Sequence, residues 1–234
     1  MSSWFKEETP LESYTPPKKS SGSGGGNSTK VWEFFLKRGE SSKIVFLNAD
    51  DEPVPVLDYH QLQHEGKTVK VACLKPKREV CPFCNFTDVQ EDSQKWKTKV
   101  KKAHCFSILD DRGNKNDKGE KYPPQKKLRF SSEFDKKALK KLRDTIVNSE
   151  EGFFADIDSL QYTWISVLRP DEDKTAAIGE PGQAVGVLNP ETYEGSLEPL
   201  SQEEILEHFI TDDETIQAIA ENYQIESEEI QINE

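Results

Sequence analysis

His60, Cys73, Cys81 and Cys84 are spaced H-x12-C-x7-C-x2-C. This is the donor set of a structural zinc site: a C-x2-C turn brings two thiolates to one side of a cation, and a ligand pair on a neighbouring hairpin closes a tetrahedron. Four closed ligands leave no open coordination position, so Zn2+ here would supply folding energy to a lobe poor in apolar residues, not catalysis. The competing chemistry is a redox dithiol at Cys81-Pro82-Phe83-Cys84. That expects a preceding buried strand in a βαβ setting, and the basic loop Lys75 to Arg78 gives neither. His60 is the preferred imidazole, with His64 and His104 as alternatives. Cys105 lies inside the expected strand Ala103 to Leu109, where a free thiol behaves as a small apolar side chain.

A second constellation is basic and aromatic. Residues 95–143 hold 17 Lys and Arg against 6 Asp and Glu, a local charge of +11. Such a segment binds phosphates, because each neutralised phosphate releases condensed counterion. Trp96, Phe106, Tyr122, Phe130 and Phe134 are interleaved with it, and Trp32, Phe34, Phe35, Phe46 and Tyr59 precede it. Aromatic side chains stack the exposed bases of a single strand for about 1–3 kcal/mol each with little regard to sequence. The stacking candidates are Trp32, Phe34, Tyr59, Trp96 and Tyr122, which stand among polar neighbours; Phe46 and Phe106 read as core. The phosphate candidates are Lys37, Arg38, Lys97, Lys99, Lys101, Lys102, Lys126, Lys127, Arg129, Lys136, Lys137 and Lys140. The bland alternative is a core of rings beneath a solvated basic surface.

No phosphate-binding GxxxxGK[ST] loop, HExxH or GxSxG occurs, so no catalytic residue is expected and the chain reads as a non-enzyme. Asp110 with Asp111 resembles a nuclease metal pair, but Arg112-Gly113-Asn114 follows and points to a strand-ending turn.

These groups need elements to hold them. Val31 to Leu36 and Lys43 to Leu47 flank Arg38-Gly39-Glu40, a hairpin pattern. Val54 to Gln63 and Thr68 to Leu74 flank Glu65-Gly66-Lys67, a second hairpin that places His60 and Cys73 on opposing strands. Val100 to Leu109, Lys126 to Phe130 and Tyr162 to Leu168 complete about seven short strands, which favours a small β-barrel. One helix is expected over Ser132 to Val147, with Phe134, Ala138, Leu142 and Ile146 as its apolar stripe and Lys136, Lys137, Lys140, Lys141 and Arg143 on its other face.

Charge divides the chain. The 31 basic and 43 acidic residues give −12, yet residues 175–234 hold 15 acids and no Lys or Arg, which leaves +3 for the rest. Residues 1–30 read as a flexible arm carrying the short apolar peptide of Trp4, Phe5, Leu11 and Tyr14. Residues 31–190 read as the core and 191–234 as an acidic tail. Within the tail, Ser201 with Glu204 and Thr211 with Glu214 are capping pairs for two short helices, and Glu226 to Glu234 reads as a disordered docking peptide. No apolar run is long enough for a membrane span and no secretory leader opens the chain, so a soluble, intracellular protein is expected.

From Ile44-Val45-Phe46-Leu47, through His60 and twelve residues to Cys73, then Cys81-Pro82-Phe83-Cys84, His104 to Asp110, and Lys127-Leu128-Arg129-Phe130 before the basic helix, the sequence resembles the phage single-stranded DNA-binding proteins of the T-even helix-destabilising type. The resemblance spans roughly residues 44–146. It implies an OB-fold with a zinc subdomain over about residues 57–90, ligated by His60, Cys73, Cys81 and Cys84. It also implies cooperative coating of single-stranded DNA in phage replication, recombination and repair, in the cytoplasm of the infected bacterium. The acidic tail would then recruit a polymerase, helicase or primase. The charge split separately suggests that the acidic end competes with DNA for the basic groove. The rival expectation is a zinc-stabilised adaptor of a replication or transcription complex with weak nucleic-acid contact; RNA remains open as a ligand.

Overall fold

The structure is a computed structural model and describes residues 9–10, 31–49, 53–74, 81–89, 98–112, 124–131, 137, 139–144, 159–171 and 180–232. In chain order the elements are β1 (Thr9–Pro10), β2 (Trp32–Glu33), β3 (Ser41–Phe46), β4 (Pro55–His64), β5 (Lys67–Ala72), α1 (Pro82–Val89), β6 (Lys101–Asp110), β7 (Gln125–Ser131), β8 (Thr163–Leu168), β9 (Glu180–Val187), α2 (Gln202–Leu206) and α3 (Asp213–Ile232). The fold is mainly β, with a mixed sheet. The chain divides into two compact units: the described residues of 29–56 and 104–201 form unit 1, and those of 57–103 and 202–232 form unit 2.

In unit 1 the strands run β2-β7-β6-β3-β8-β9, antiparallel except for the parallel β2/β7 pair. Val45 pairs with both Leu109 and Trp164, which makes β3 an interior strand. β6 is buried from Ala103 to Asp110, with the polar His104, Ser107 and Asp110 included, as in a strand covered on both faces. Period-two alternation sorts the residues of β3. Ile44 and Phe46 join Phe34, Leu36, Phe106, Ile108, Leu160, Ile165 and Val167 in one core, where Phe46 and Phe106 meet edge to face at 5.2 Å. Val45, with Leu47 and Leu109, faces Tyr162, Trp164, Leu188, Tyr193 and Leu197 on the other side.

The first predicted hairpin does not form. Its turn exists, with Gly39 at φ +70° and a Glu40 N–H bond to Lys37 O, but Trp32 and Glu33 pair with Lys127 and Leu128 of β7 and not with β3. The apolar residues Phe34 and Leu36 are drawn into the core instead. β9 was not expected, because Pro181, Gly182 and Gly186 weaken a strand pattern; it pairs with β8 through two register shifts. Of the expected basic helix, residues 139–144 are helical, and Leu139 with Leu142 turns to the core. The other stripe positions lie outside the described side chains.

In unit 2 the second hairpin forms as expected, β4 against β5, with His64 opposite Lys67. Its two-residue turn places Glu65 at φ +49° and Gly66 at φ +72°, the backbone that matches strand twist. α1 starts on Pro82, which has no N–H to waste, and Asn85 N–H closes the first turn on Cys81 O. α3 packs against α1. Its cap is Asp212, whose Oδ1 accepts from Thr215 N–H at 2.8 Å, one residue later than the expected Thr211 with Glu214. The helix continues to Ile232, through most of the segment expected to be a disordered peptide.

Candidate metal centre and nucleic-acid face

The hairpin positions the first two donors. His60 lies in β4, and Cys73 follows β5, its N–H donating to Asp58 O at 2.9 Å. Cys81 precedes α1 and Cys84 lies in its first turn, so both thiols project from one helix start. The ligand atoms of these four buried residues lie within 4.8 Å of one another and could hold a metal ion. Cys73 Sγ is 3.6 Å from Cys84 Sγ, and His60 Nε2 is 3.4 Å from Cys81 Sγ and 3.6 Å from Cys84 Sγ. A tetrahedral ion with bonds of about 2.3 Å to sulfur and about 2.0 Å to nitrogen has edges of about 3.8 and 3.5 Å, so these separations fit.

The surroundings support ligation. His60 Nδ1 lies 2.6 Å from the buried carbonyl of Thr98, which fixes that nitrogen as the N–H donor and frees Nε2 for a metal. No sequence pattern marks Thr98, because its contribution is a backbone oxygen. Hydrogen bonding by Cys73, then by His60 and by the backbone at Leu74 and Cys84, holds the Cys81 thiol well below its usual range, although burial opposes this. Phe83 lies beside the His60 ring at 5.4 Å. His64 sits at the end of the hairpin, His104 pairs with Ser131 in unit 1, and Cys105 is buried in β6, so none of these joins the group.

The nucleic-acid candidates do not all stand where stacking or phosphate contact requires. Trp32 is 66% exposed, and Lys37, Arg38, Lys99, Lys101, Lys102, Lys137 and Lys140 are also exposed. Lys137, Lys140 and Lys141 line one shallow depression with Asp144. Lys101 Nζ donates to Gln61 Oε1, and burial, then the charge of Lys70, lowers its ammonium pKa. Phe34 and Arg129 require correction. Both are fully buried, so neither can offer a ring face or a guanidinium to a strand. The Arg129 guanidinium instead lies 5.7 Å from the Phe34 ring centre. Tyr59 is half-buried, edge-on to Phe209 at 5.5 Å. Trp96, Lys97, Tyr122 and Lys136 lie outside the described residues.

Two more candidates already serve the fold. Lys126 Nζ donates to Glu198 O at 2.6 Å and to Ser196 Oγ at 3.1 Å. Lys127 Nζ meets Asp110 Oδ2 at 2.7 Å. Asp110 is fully buried at the end of β6, where Arg112 Nε and Nη2 and Ser42 Oγ also donate to it. Burial would raise this carboxyl pKa, but those donors outweigh it and hold the value at about 2. Asp110 thus clamps two cations at a strand end. Arg112 reaches on to Glu40 at 3.0 Å and lies over Phe34 at 4.9 Å.

The acidic end enters both cores, each within its own unit. In unit 1, Leu200 N–H donates to Ser107 Oγ at 2.7 Å. In unit 2, Ile216, Ile219 and Ala220 pack with Leu62, Val71, Leu74, Phe83 and with Cys73, Cys81 and Cys84. Ile210 exchanges backbone hydrogen bonds with Lys70 and Ala72. Glu203, Glu207, Asp213, Glu214 and Glu221 remain exposed on the outer face.

Among known proteins, no family model and no curated sequence matches this chain. No helix among the described residues is long and apolar enough to cross a membrane.

Proposed function

We propose that this protein is a sequence-tolerant, non-enzymatic single-stranded DNA-binding protein that coats and protects strands during phage replication, recombination and repair. The observation that carries this reading is the exposure of Trp32 on the same short segment as the exposed Lys37 and Arg38. A ring followed by cations can stack a base and hold the adjoining phosphates. In this reading the strands of unit 1 form an OB-type barrel, and the ion at His60, Cys73, Cys81 and Cys84 is Zn2+, which suits three thiolates and an imidazole. The protein acts in the cytoplasm of the infected bacterium and associates with itself along DNA. Its exposed acids receive replication proteins.

Titrating poly(dT) and duplex DNA at several salt concentrations tests this. Log affinity for poly(dT) should fall steeply with log salt, and poly(dT) should be preferred. Duplex preference overturns the reading. An adaptor function has one observation in its favour, the acidic outer face that α2 and α3 give unit 2. A shallow salt dependence would support it. Elemental analysis finding no zinc would remove the metal assignment and leave the DNA reading standing.

A further inference from the structure

Side chains alternate along residues 34–36. Phe34 and Leu36 are fully buried, while Phe35 between them is 50% exposed. Phe34 N–H is anchored on Leu128 O at 2.7 Å, so the segment is fixed with this ring outward. The Arg169 guanidinium lies 5.5 Å from the Phe35 ring centre. Arg169 is itself only 9% exposed and tightly held: its N–H bonds Glu40 O, its O accepts from Gly39 N–H, and Nη1 donates to Leu36 O at 2.8 Å. Its Nε is buried and has no hydrogen-bond partner among the described residues. A guanidinium fixed in this way cannot swing out to a phosphate. It can hold the ring above it through a cation–π contact.

We propose that Phe35, positioned by Arg169, is a base-stacking platform for single-stranded DNA. The inference rests on the single-strand reading and deepens it by naming a ring that residue type and spacing did not select. A ring already fixed in place loses little conformational freedom on binding, which favours stacking. Trp32 precedes it and the exposed Lys37 and Arg38 follow, so the segment offers two rings and then two cations; Glu33 is its one exposed acid. Those cations favour a strand of phosphates and bases over an apolar protein partner.

Fluorescence anisotropy with labelled oligo(dT) tests the proposal, using a second strand of equal length that carries abasic sites. Phe35→Ala should weaken oligo(dT) binding about 5- to 100-fold, leave the salt slope unchanged, and bind the abasic strand as the unaltered protein does. Phe35→Trp should keep the affinity and show its indole emission quenched by DNA. Arg169→Met should weaken binding less than Phe35→Ala, and adding it to Phe35→Ala should cost nothing further. Thermal melts would identify any variant that fails to fold, and Phe35→Trp supplies the readout in that case. Oligo(dT) binding that survives Phe35→Ala intact overturns the platform and leaves the single-strand reading in place. Equal losses on both strands also overturn it. So does a change of sedimentation with affinity unchanged, which would mark a protein-docking face. An unaltered protein that does not bind oligo(dT) overturns both readings.

Discussion

The two units reach a closed core by different means. In unit 1 the main cluster is hydrocarbon, with Phe34, Phe46 and Phe106 among its members, and the Asp110 charge clamp lies at a strand end. In unit 2 three of the ten buried members of the cluster are cysteines of the metal group, and three more come from α3. Over residues 213–222 the acidic helix therefore turns Ile216, Ile219 and Ala220 into the core and Asp213, Glu214 and Glu221 outward. The difference teaches that a run of acids in sequence does not define a detachable tail, because burial follows Ile216, Ile219 and Ala220 and ignores the acids between them. A core built around four ligands should be lost when they are lost, and a hydrocarbon core should not.

The largest expected effect follows from stripping any metal from the His60, Cys73, Cys81 and Cys84 group. Ligand sets of this type bind zinc with apparent free energies of about 10–16 kcal/mol, and that energy is available to fold the lobe. Chelation, or Cys81→Ser, should release hydrogen-exchange protection in β4, β5, α1 and α3 while β3, β6 and β8 stay protected. Equal loss in both units would show that the two cores are not maintained independently, and no loss in either would show that the core of unit 2 does not depend on a metal.

Unit 1 has its own weak point in the Asp110 clamp. Asp110→Asn keeps the shape and the Ser42 partner but removes the charge facing Arg112 and Lys127. Breaking one side of a buried pair costs about 3–5 kcal/mol. Urea unfolding of unit 1 should shift by that amount with the metal content unchanged. A shift under about 1 kcal/mol would mean that water already screens the pair.

The packing of α3 is a milder probe. Ile216→Ala deletes a fully buried side chain and should cost about 2–5 kcal/mol, appearing as weaker metal retention in a chelator competition. Glu214→Gln and Glu221→Gln, on the exposed face, should leave retention unchanged. For the same reason, deleting residues 191–234 does not isolate the effect of charge on DNA binding. Substituting the exposed acids does, and DNA affinity should then rise if they compete with phosphate.

What the sequence made legible follows from how local each signal is. The metal group depends on short spacing and one hairpin, whose Glu65-Gly66 turn is encoded by two residues, so the cysteines and the preferred His60 were readable, while the exclusion of His64 and His104 and the Thr98 carbonyl were not. The β3 and β8 runs were readable because β-branched and aromatic residues cluster there. The choice of Phe34 over Phe35 was not, because both are phenylalanine and only the pairing of 32–33 with β7 decides which ring turns inward. The fate of Lys126, Lys127 and Arg129 was equally hidden. Their partners, Glu198 O, Asp110 and the Phe34 ring, are distant in sequence and brought to them only by the folded chain.

Acid should separate the two units by the smallest margin. Asp110 is held at about 2 in the folded chain against an ordinary value of 3.8. A folded value below the unfolded one means stability that is present above pH 3.8 and lost as pH falls toward 2. At 1.36 kcal/mol per unit the clamp contributes about 2 kcal/mol over that window. Thiolate ligands obey the same sign in unit 2, since a metal held by deprotonated sulfur is displaced by protons. Acidification should therefore release the metal and open unit 2 while unit 1 persists. Unit 1 should then weaken between pH 3.8 and 2, and Asp110→Asn should flatten that second step without moving the first. If unit 1 opened together with metal release, the clamp would not be what sets its acid limit.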